Sequence, residues 1–174
     1  MTRPAPDAAE QAEALALLGH DAHVAPLLEI ELLPDAPLPS DGMAGVVATS
    51  RNGLRAIAGR RELPALSRRL LFAVGARTAA LARDLGFAEV IEGAGRSAGL
   101  ACLIRRRIDP AGGAVLHLAG ETLAHDLAGD LAALGFAVEQ PVLYRSHAVA
   151  TLPTAMKAAI EAGTLDGVIL MSPR

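Results

Sequence analysis

The sequence predicts an α/β fold with mostly parallel sheets. Short apolar runs of Val, Leu and Ala alternate along the chain with stretches of helical periodicity, and the loops between them are short. Hydrophobic residues make up 52% of the 174 residues but aromatic residues only 2%, so the core must be built from aliphatic side chains. Such cores are typical of helices packed on a parallel sheet, in one ordinary domain or in two small ones.

Helices are predicted where Ala, Leu and charged residues dominate and where Gly, Pro or polar residues bound the stretch. The predicted helices cover residues 8–18, 52–58, 78–86, 97–107, 121–135 and 151–162. Gly19 ends the first of them, and Pro64 is predicted to break the chain after the second. Residues 33–42, with three prolines, are predicted to form a linker.

Strands are predicted where apolar and β-branched residues cluster between these helices. The predicted strands lie around Val46 and at residues 70–74, 89–92, 114–120, 136–146 and 167–171, and residues 22–33 are predicted to be extended. In open parallel sheets, ligands bind at the carboxyl ends of the strands. The turns that follow these strands are therefore the expected binding region.

Residues 45–53, GVVATSRNG, contain the most informative of these turns. The strand around Val46 ends in Thr49 and Ser50 immediately before a predicted helix, so backbone N–H groups at the start of that helix are exposed. This arrangement favours either an anion site or a simple helix cap by a hydroxyl group. Residues 167–174, GVILMSPR, repeat the pattern with Ser172 in the place of Ser50.

An internal duplication underlies this repeat. Residues 14–29 resemble residues 130–145, because each has a helix that closes on Leu-Gly and then a strand that contains a proline. The chain therefore holds two copies of one α/β plan. Neither copy is complete, since the chain looks clipped at both ends compared with its own repeat. We expect the incomplete part to be able to associate with another chain.

Composition disfavours several classes of function. The formal net charge of -3 gives no reason to expect nucleic-acid binding, and no apolar run reaches the length of a membrane span. The single cysteine, Cys102, is predicted on a buried helix face and cannot form an internal disulfide. Together with an N-terminus that lacks a secretory signal, it predicts a cytoplasmic protein. The five histidines show no metal-ligand spacing.

Several short motifs, in their order and spacing, resemble those of the uroporphyrinogen-III synthases over the whole chain. The motifs are Thr2-Arg3-Pro4, Pro26-Leu27-Leu28-Glu29-Ile30, Thr49-Ser50 with Asn52-Gly53, Phe72-Ala73-Val74-Gly75 with Thr78-Ala79, Ser97-Ala98, Leu118-Ala119-Gly120-Glu121, Val142-Leu143-Tyr144-Arg145 and Ser172-Pro173. Each motif alone is weak, whereas their order and spacing together are specific.

The resemblance implies two flavodoxin-like, three-layer α/β domains with parallel sheets, joined by two extended linker strands. The outer domain is expected at residues 1–36 and 147–174, incomplete in this chain, and the inserted domain at residues 37–146. The linker strands are expected around residues 26–33 and 144–150.

The family's activity is that of a lyase, which cyclises the linear tetrapyrrole hydroxymethylbilane to uroporphyrinogen III with inversion of ring D in haem biosynthesis. The resemblance implies no metal, no organic cofactor and, for the intact family, a monomer. Loss of the substrate's hydroxyl group leaves a cationic azafulvene that an electron-rich pyrrole attacks, so catalysis needs mainly positioning and electrostatics. Because the chain looks clipped, we expect it to have little synthase activity.

The resemblance also assigns site residues. Tyr144 is predicted to assist departure of the hydroxyl group by hydrogen bonding, or else to pack as a linker aromatic. The eight carboxylates of the substrate suit turns that offer hydroxyl and N–H groups on the two walls of an interdomain cleft. The predicted substrate-binding residues are Thr2, Arg3 and Ser172 on one wall, and Thr49, Ser50, Asn52, Gly53, Gly75, Arg77, Thr78, Ser97, Gly120 and Glu121 on the other.

Other interpretations stay open beside this one. Glu121 reads equally as a first-turn carboxylate on a helix. The loop 93–99 resembles a dinucleotide loop, but its glycine spacing differs from G-x-G-x-x-G and it does not follow the first strand. The chain is alternatively a non-catalytic tetrapyrrole-binding fragment or degenerate paralogue. A generic flavodoxin-like regulatory module would leave the motifs and the duplication unexplained.

Overall fold

The computed structural model describes residues 1–97 and 99–170. The chain divides into two compact units. The smaller unit holds Met1–Glu31 and the segment that begins at Ser146, and the larger unit holds Leu32–Arg145. The sequence places the domain boundaries at residues 36/37 and 146/147, and that assignment of domains stays a prediction.

The elements follow the alternation that the sequence predicts. In the described residues the helices are α1 (Asp7–Ala16), α2 (Arg51–Ile57), α3 (Leu63–Leu66), α4 (Ala76–Asp84), α5 (Leu100–Arg105), α6 (Leu127–Ala133) and α7 (Thr154–Glu161). The strands are β1 (Leu28–Leu32), β2 (Met43–Ala48), β3 (Leu70–Ala73), β4 (Val90–Glu92), β5 (Ala114–His117), β6 (Ala119–Gly120), β7 (Val138–Glu139) and β8 (Val142–Ala148). A 3-10 helix covers Pro110–Gly112. The predicted mixed α/β class with a parallel sheet is confirmed.

The larger unit is built on a five-stranded parallel sheet in the order β4-β3-β2-β5-β7. Val46 of β2 lies opposite Leu71 of β3 on one side and Leu116 of β5 on the other. Counted along the unit, the strand order is 3-2-1-4-5, whereas flavodoxin-like sheets have the order 2-1-3-4-5. The expectation of a flavodoxin-like topology is therefore wrong for this unit. Alternating strands and helices are compatible with both orders, and only the crossover that returns β5 to the free edge of β2 decides between them.

Helices cover both faces of this sheet, which gives three layers. Successive strand residues point to opposite faces, so Val46 and Ala48 contact one cluster and Val47 the other. The first cluster packs residues of α2, α3 and α4, such as Leu54, against the sheet. The second packs residues of α5 and α6, such as Ile104, against the opposite face. Leu, Val, Ile and Ala supply most of both clusters, as the composition predicts.

Within the smaller unit, α1 buries Ala8, and the chain then turns at Gly19, whose φ is +85°. The duplicated Gly135 has φ +86° after α6, so both copies of the repeat end a helix with a left-handed glycine. The predicted strand 167–171 does not form in residues 167–170, and Met171 lies outside the described residues. Within this segment, Ile169 O accepts a hydrogen bond from the Thr2 N–H over 3.4 Å.

Strands β1, β8 and β6 form a second sheet in that order. In the larger unit, Gly120 of β6 lies in parallel register with Tyr144 of β8, and the Leu33 N–H donates to Leu143 O. In the smaller unit, the Val149 N–H donates to Leu27 O. Residue numbers fall along one strand as they rise along the other, so β1 and β8 run antiparallel.

Several predicted elements are shorter or divided in the structure. The predicted helix 121–135 begins only at Leu127, because the Asp126 carboxylate accepts from the Gly129 N–H over 2.9 Å and caps the helix there. Pro64, predicted to break the chain, lies in the first turn of α3, where a missing N–H costs nothing. The predicted strand 114–120 is divided between the two sheets, as β5 and β6.

Cys102 also differs from its prediction. The buried residues of α5 are Leu100, Ala101 and Ile104, and Cys102 is exposed on the other side of the helix. In the described residues, none of the helices combines the length and the apolar character that a membrane crossing requires.

Candidate functional site

The carboxyl edge of the large sheet brings several predicted turns together. The turns after β2, β3 and β4 and the chain after β5 all leave the sheet at this edge, because the strands are parallel. Strand β2 pairs with β3 on one side and with β5 on the other, which makes the gap between β2 and β5 the topological switch point. Open α/β sheets bind ligands at such points.

A buried histidine lies at this switch point. His117 ends β5, and its Nε2 is 3.0 Å from Oγ1 of Thr49, which follows β2. Its Nδ1 is 2.9 Å from Oε1 of Gln140, which follows β7. The imidazole thus connects the ends of three neighbouring strands.

Burial lowers the pKa of His117 below its ordinary value of 6.5, and the hydrogen bond to Gln140 opposes this shift only in part. The residue is only 1% exposed. Sequence reasoning found no metal-ligand spacing among the histidines, gave His117 no other role and so missed this arrangement. A signal was present, since His117 is the one polar residue of the run AVLHLAG and lies near its carboxyl end. In residues 1–97 and 99–170 no group of three or more His, Cys, Asp or Glu could hold a metal ion.

The turn that follows β2 is a capped helix start. The Ser50 hydroxyl accepts from the Asn52 N–H over 3.2 Å, which is the cap that the sequence allowed. The Asn52 amide oxygen accepts from Nη1 of Arg55 over 2.8 Å. Gly53 is buried so closely against the Leu118 backbone that an added Cβ would collide with the carbonyl oxygen. Gly53 therefore serves packing between α2 and the chain that follows β5.

The turn that follows β3 begins α4. Gly75 is the N-cap residue of α4 and has an extended backbone, and a Cβ there would lie 3.3 Å from Cα of Gly95 in the next loop. Arg77 is exposed in the first turn of α4. Thr78 is only 5% exposed and belongs to the buried side of that helix, so its hydroxyl offers a ligand little surface. Ser97 is half-buried in the loop that precedes α5.

Tyr144 lies against Gly120. A Cβ at Gly120 would come within 2.5 Å of the tyrosine ring, so a larger residue there would displace the ring. The ring also packs against the edge of the core. The Glu121 N–H donates to Tyr144 O, and the Glu121 carboxylate accepts from Nε of Arg145 over 3.0 Å. Glu121 is therefore an ion-pair partner in a non-helical segment, and its alternative interpretation as a first-turn helix residue is wrong.

The remaining predicted site residues lie in the smaller unit. Both the Thr2 hydroxyl and the Thr2 N–H donate to Ile169 O, with the hydroxyl at 3.1 Å. Nε of Arg3 is 3.5 Å from an Asp7 carboxylate oxygen. Ser172 lies outside the described residues.

Comparison with known proteins gives a family match and a fold match. A family model described as uroporphyrinogen-III synthase HemD matches residues 9–174. No curated protein matches the chain. The uroporphyrinogen-III synthetase from Helicobacter pylori has a TM-score of 0.57 at 20% identity, with 80% of this chain and 64% of that chain covered. A mutant uroporphyrinogen III synthase from Thermus thermophilus has a TM-score of 0.55 at 21% identity, with 95% and 71% covered.

At these identities the two structures show a shared fold alone. The chain spans less than two thirds of the Helicobacter pylori protein and somewhat more of the Thermus thermophilus protein. The family match, in contrast, extends from residue 9 to residue 174 and so covers nearly the whole sequence. On that match, the chain belongs to the uroporphyrinogen-III synthase family.

Proposed function

We propose that this chain binds a linear tetrapyrrole at the carboxyl edge of its large sheet and catalyses, at the low rate expected from its sequence, the cyclisation of hydroxymethylbilane to uroporphyrinogen III with inversion of ring D. The observation that carries the proposal is the family match over residues 9–174. The geometry supports it, because Thr49, Asn52, Arg77 and Ser97 follow neighbouring parallel strands and so share one edge.

The chemistry requires few reacting side chains. The substrate's hydroxyl group leaves as water after it gains a proton, and an azafulvene cation remains. A substituted pyrrole carbon attacks this cation, the resulting spiro intermediate rearranges, and a final proton loss restores the aromatic ring. The protein must hold the two ends of the tetrapyrrole together and stabilise charge as it develops.

Tyr144 is proposed to assist the departure step. Its phenolic O–H is a hydrogen-bond donor that can point at the leaving hydroxyl group. Gly120 leaves the space that the ring occupies and the core edge supports it, so the hydroxyl would be positioned without help from the substrate. A group held in advance loses little entropy when it meets the transition state.

Carboxylate contacts are proposed for the turns and for two arginines. Arg77 is exposed at the start of α4. Arg145, which follows Tyr144 in β8, donates a hydrogen bond to the Glu121 carboxylate. Glu121 thus acts through Arg145, since its own carboxylate would repel an anionic substrate. The proposal also keeps contacts from the other predicted residues, which are Ser50, Asn52, Gly53, Gly75, Thr78, Ser97, Gly120, Thr2, Arg3 and Ser172. The reaction is proposed to occur in the cytoplasm, where a single unpaired cysteine is typical.

Two assays test the proposal. Freshly prepared hydroxymethylbilane is incubated with the purified chain, and the isomers of uroporphyrinogen are separated after oxidation. Closure without inversion gives the type I isomer, so we expect an excess of type III over a protein-free control. Type I alone, together with saturable binding of uroporphyrinogen III, would mean a non-catalytic tetrapyrrole-binding protein. If the chain showed no turnover and bound no uroporphyrinogen III, the proposal would be overturned.

A further inference from the structure

A chain of three hydrogen-bonded side chains ends at the candidate site, and the chemistry proposed above does not use it. His117 lies between Thr49 and Gln140, with contacts of 3.0 Å and 2.9 Å. The imidazole is buried, whereas Thr49 is partly exposed at the carboxyl end of β2. An interior group therefore controls the hydrogen-bonding state of a hydroxyl at the edge of the sheet.

The orientation of the Gln140 amide, with its oxygen toward the ring, sets the direction of these hydrogen bonds. Oε1 of Gln140 can only accept, so Nδ1 of His117 must carry a proton. Burial lowers the pKa of the imidazole, so the neutral ring with its single proton dominates at neutral pH. Nε2 then has no proton and can only accept. The contact between Nε2 and Oγ1 therefore requires the Thr49 hydroxyl to donate.

A threonine hydroxyl has one hydrogen and two lone pairs. Once its hydrogen points to His117, Thr49 shows only lone pairs to anything that approaches from the solvent side. A carboxylate would then meet the oxygen with acceptor against acceptor and no proton between them. A group that carries an N–H would find a prepared acceptor.

We propose that His117 and Gln140 are positioning residues that make the Thr49 hydroxyl an acceptor only. This hydroxyl then accepts a hydrogen bond from a pyrrole N–H of the tetrapyrrole and does not bind its carboxylates. The identity of the N–H donor rests on the proposed function, whereas the direction of the hydrogen bonds does not. Thr49 would therefore bind a pyrrole ring of the substrate through its N–H, and not a carboxylate.

The hydrogen-bond direction is tested by NMR of the full chain without ligand. Long-range 1H–15N correlation of the imidazole nitrogens distinguishes the Nδ1-H tautomer, the Nε2-H tautomer and the imidazolium. His117→Asn identifies the signals by their loss. We expect His117 to be neutral and protonated on Nδ1 at neutral pH. An Nε2-H ring or an imidazolium at that pH would overturn the proposal.

The ligand contact is tested with uroporphyrinogen III, kept anaerobic, as the probe. Thr49→Val removes the hydroxyl at nearly constant shape, and Thr49→Ser keeps it. We expect Thr49→Val to weaken binding about 2–10-fold, as for one neutral hydrogen bond, and Thr49→Ser to restore most of the affinity. Because the lost contact is to an uncharged N–H, the loss should be the same at low and high salt.

The two arms separate this inference from the proposed function. A Thr49→Val defect that shrinks as salt rises would indicate a carboxylate contact and overturn the inference while leaving tetrapyrrole binding intact. An unchanged affinity of Thr49→Val would overturn it as well. If the wild-type chain bound no uroporphyrinogen III, the proposed function and the pyrrole contact would both fall, and the NMR arm would still decide the direction of the hydrogen bonds.

Discussion

At the scale of single residues, Tyr144 combines a fixed ring with a polar end. Gly120 leaves the space that the ring occupies, and the core edge supports its other side. The two interpretations of this tyrosine that the sequence allowed are therefore compatible in the structure. The ring can pack as a linker aromatic while its hydroxyl remains the proposed hydrogen-bond donor.

Tyr144→Phe separates these two roles. The ring and its packing are kept, so the thermal midpoint should stay within about 2 °C of wild type, whereas loss of the donor should lower kcat about 100-fold. Steady-state assay of type III isomer formation and a thermal melt measure the two effects. Wild-type kcat in this variant would remove Tyr144 from the departure step.

His117 predicts a pH dependence of stability. Its pKa is lowered in the folded protein, so the unfolded chain binds more protons just below pH 6.5. The stability that the neutral buried ring contributes is therefore complete above that pH and is lost as the pH falls through the folded-state pKa. Asp and Glu titrate at lower pH and contribute little in this window.

We expect the thermal midpoint of the wild-type chain to fall more between about pH 7.5 and about pH 5.5 than that of His117→Asn, which cannot ionise at this position. The other histidines are present in both proteins, so their effects cancel in the comparison. Equal falls in the two proteins would show that His117 is not the buried neutral group that the structure describes.

At the scale of elements, the start of α2 depends on a residue without a side chain. A Cβ on Gly53 would collide with the carbonyl oxygen of Leu118, and neither backbone can move without shifting α2 or the chain after β5. The glycine that the sequence presented as part of a binding turn is thus required by packing. Helix ends elsewhere depend on side chains, as Asp126 shows at the start of α6.

Gly53→Ala should destabilise the protein by about 1–3 kcal/mol, as expected when a well-packed site receives an extra methyl group. Gly112→Ala is the matched control, because an added Cβ there meets open space and the residue lacks a left-handed φ. The control should be neutral or slightly stabilising, since alanine reduces the entropy of the unfolded chain. Denaturant unfolding measures both changes, and equal stability of the two variants would contradict the packing argument.

At the scale of the whole molecule, the apolar core lies in the larger unit. Both hydrophobic clusters consist of residues between Leu38 and Leu143, with Tyr144 at the edge of one of them. In the described part of the smaller unit, the buried apolar residues are Ala8 and Ala25. Large side chains such as Leu17 and Leu170 are exposed there, at 89% and 68%.

A fragment of residues 32–145 should therefore fold by itself. We expect one cooperative thermal transition with a midpoint within about 5 °C of that of the full chain, because the fragment keeps every residue of both clusters. Circular dichroism and calorimetry measure the transition. A fragment that melts without cooperativity would show that the smaller unit supplies stability that its burial does not reveal.

The sequence by itself determined the class of the fold, the family, and the position of most strands and helices, because these follow from local periodicity, from glycine and proline at element ends, and from short motifs in order. The Ser50 cap was also predictable, since donor and acceptor are two residues apart. Only the tertiary structure decided the strand order, the room that Gly120 leaves for Tyr144, and the meeting of His117 with Thr49 and Gln140, which are 68 and 23 residues away in the sequence. Such contacts depend on the side of β2 to which the chain returns and on the register in which the strands pair, and neither is encoded in the pattern of any one segment.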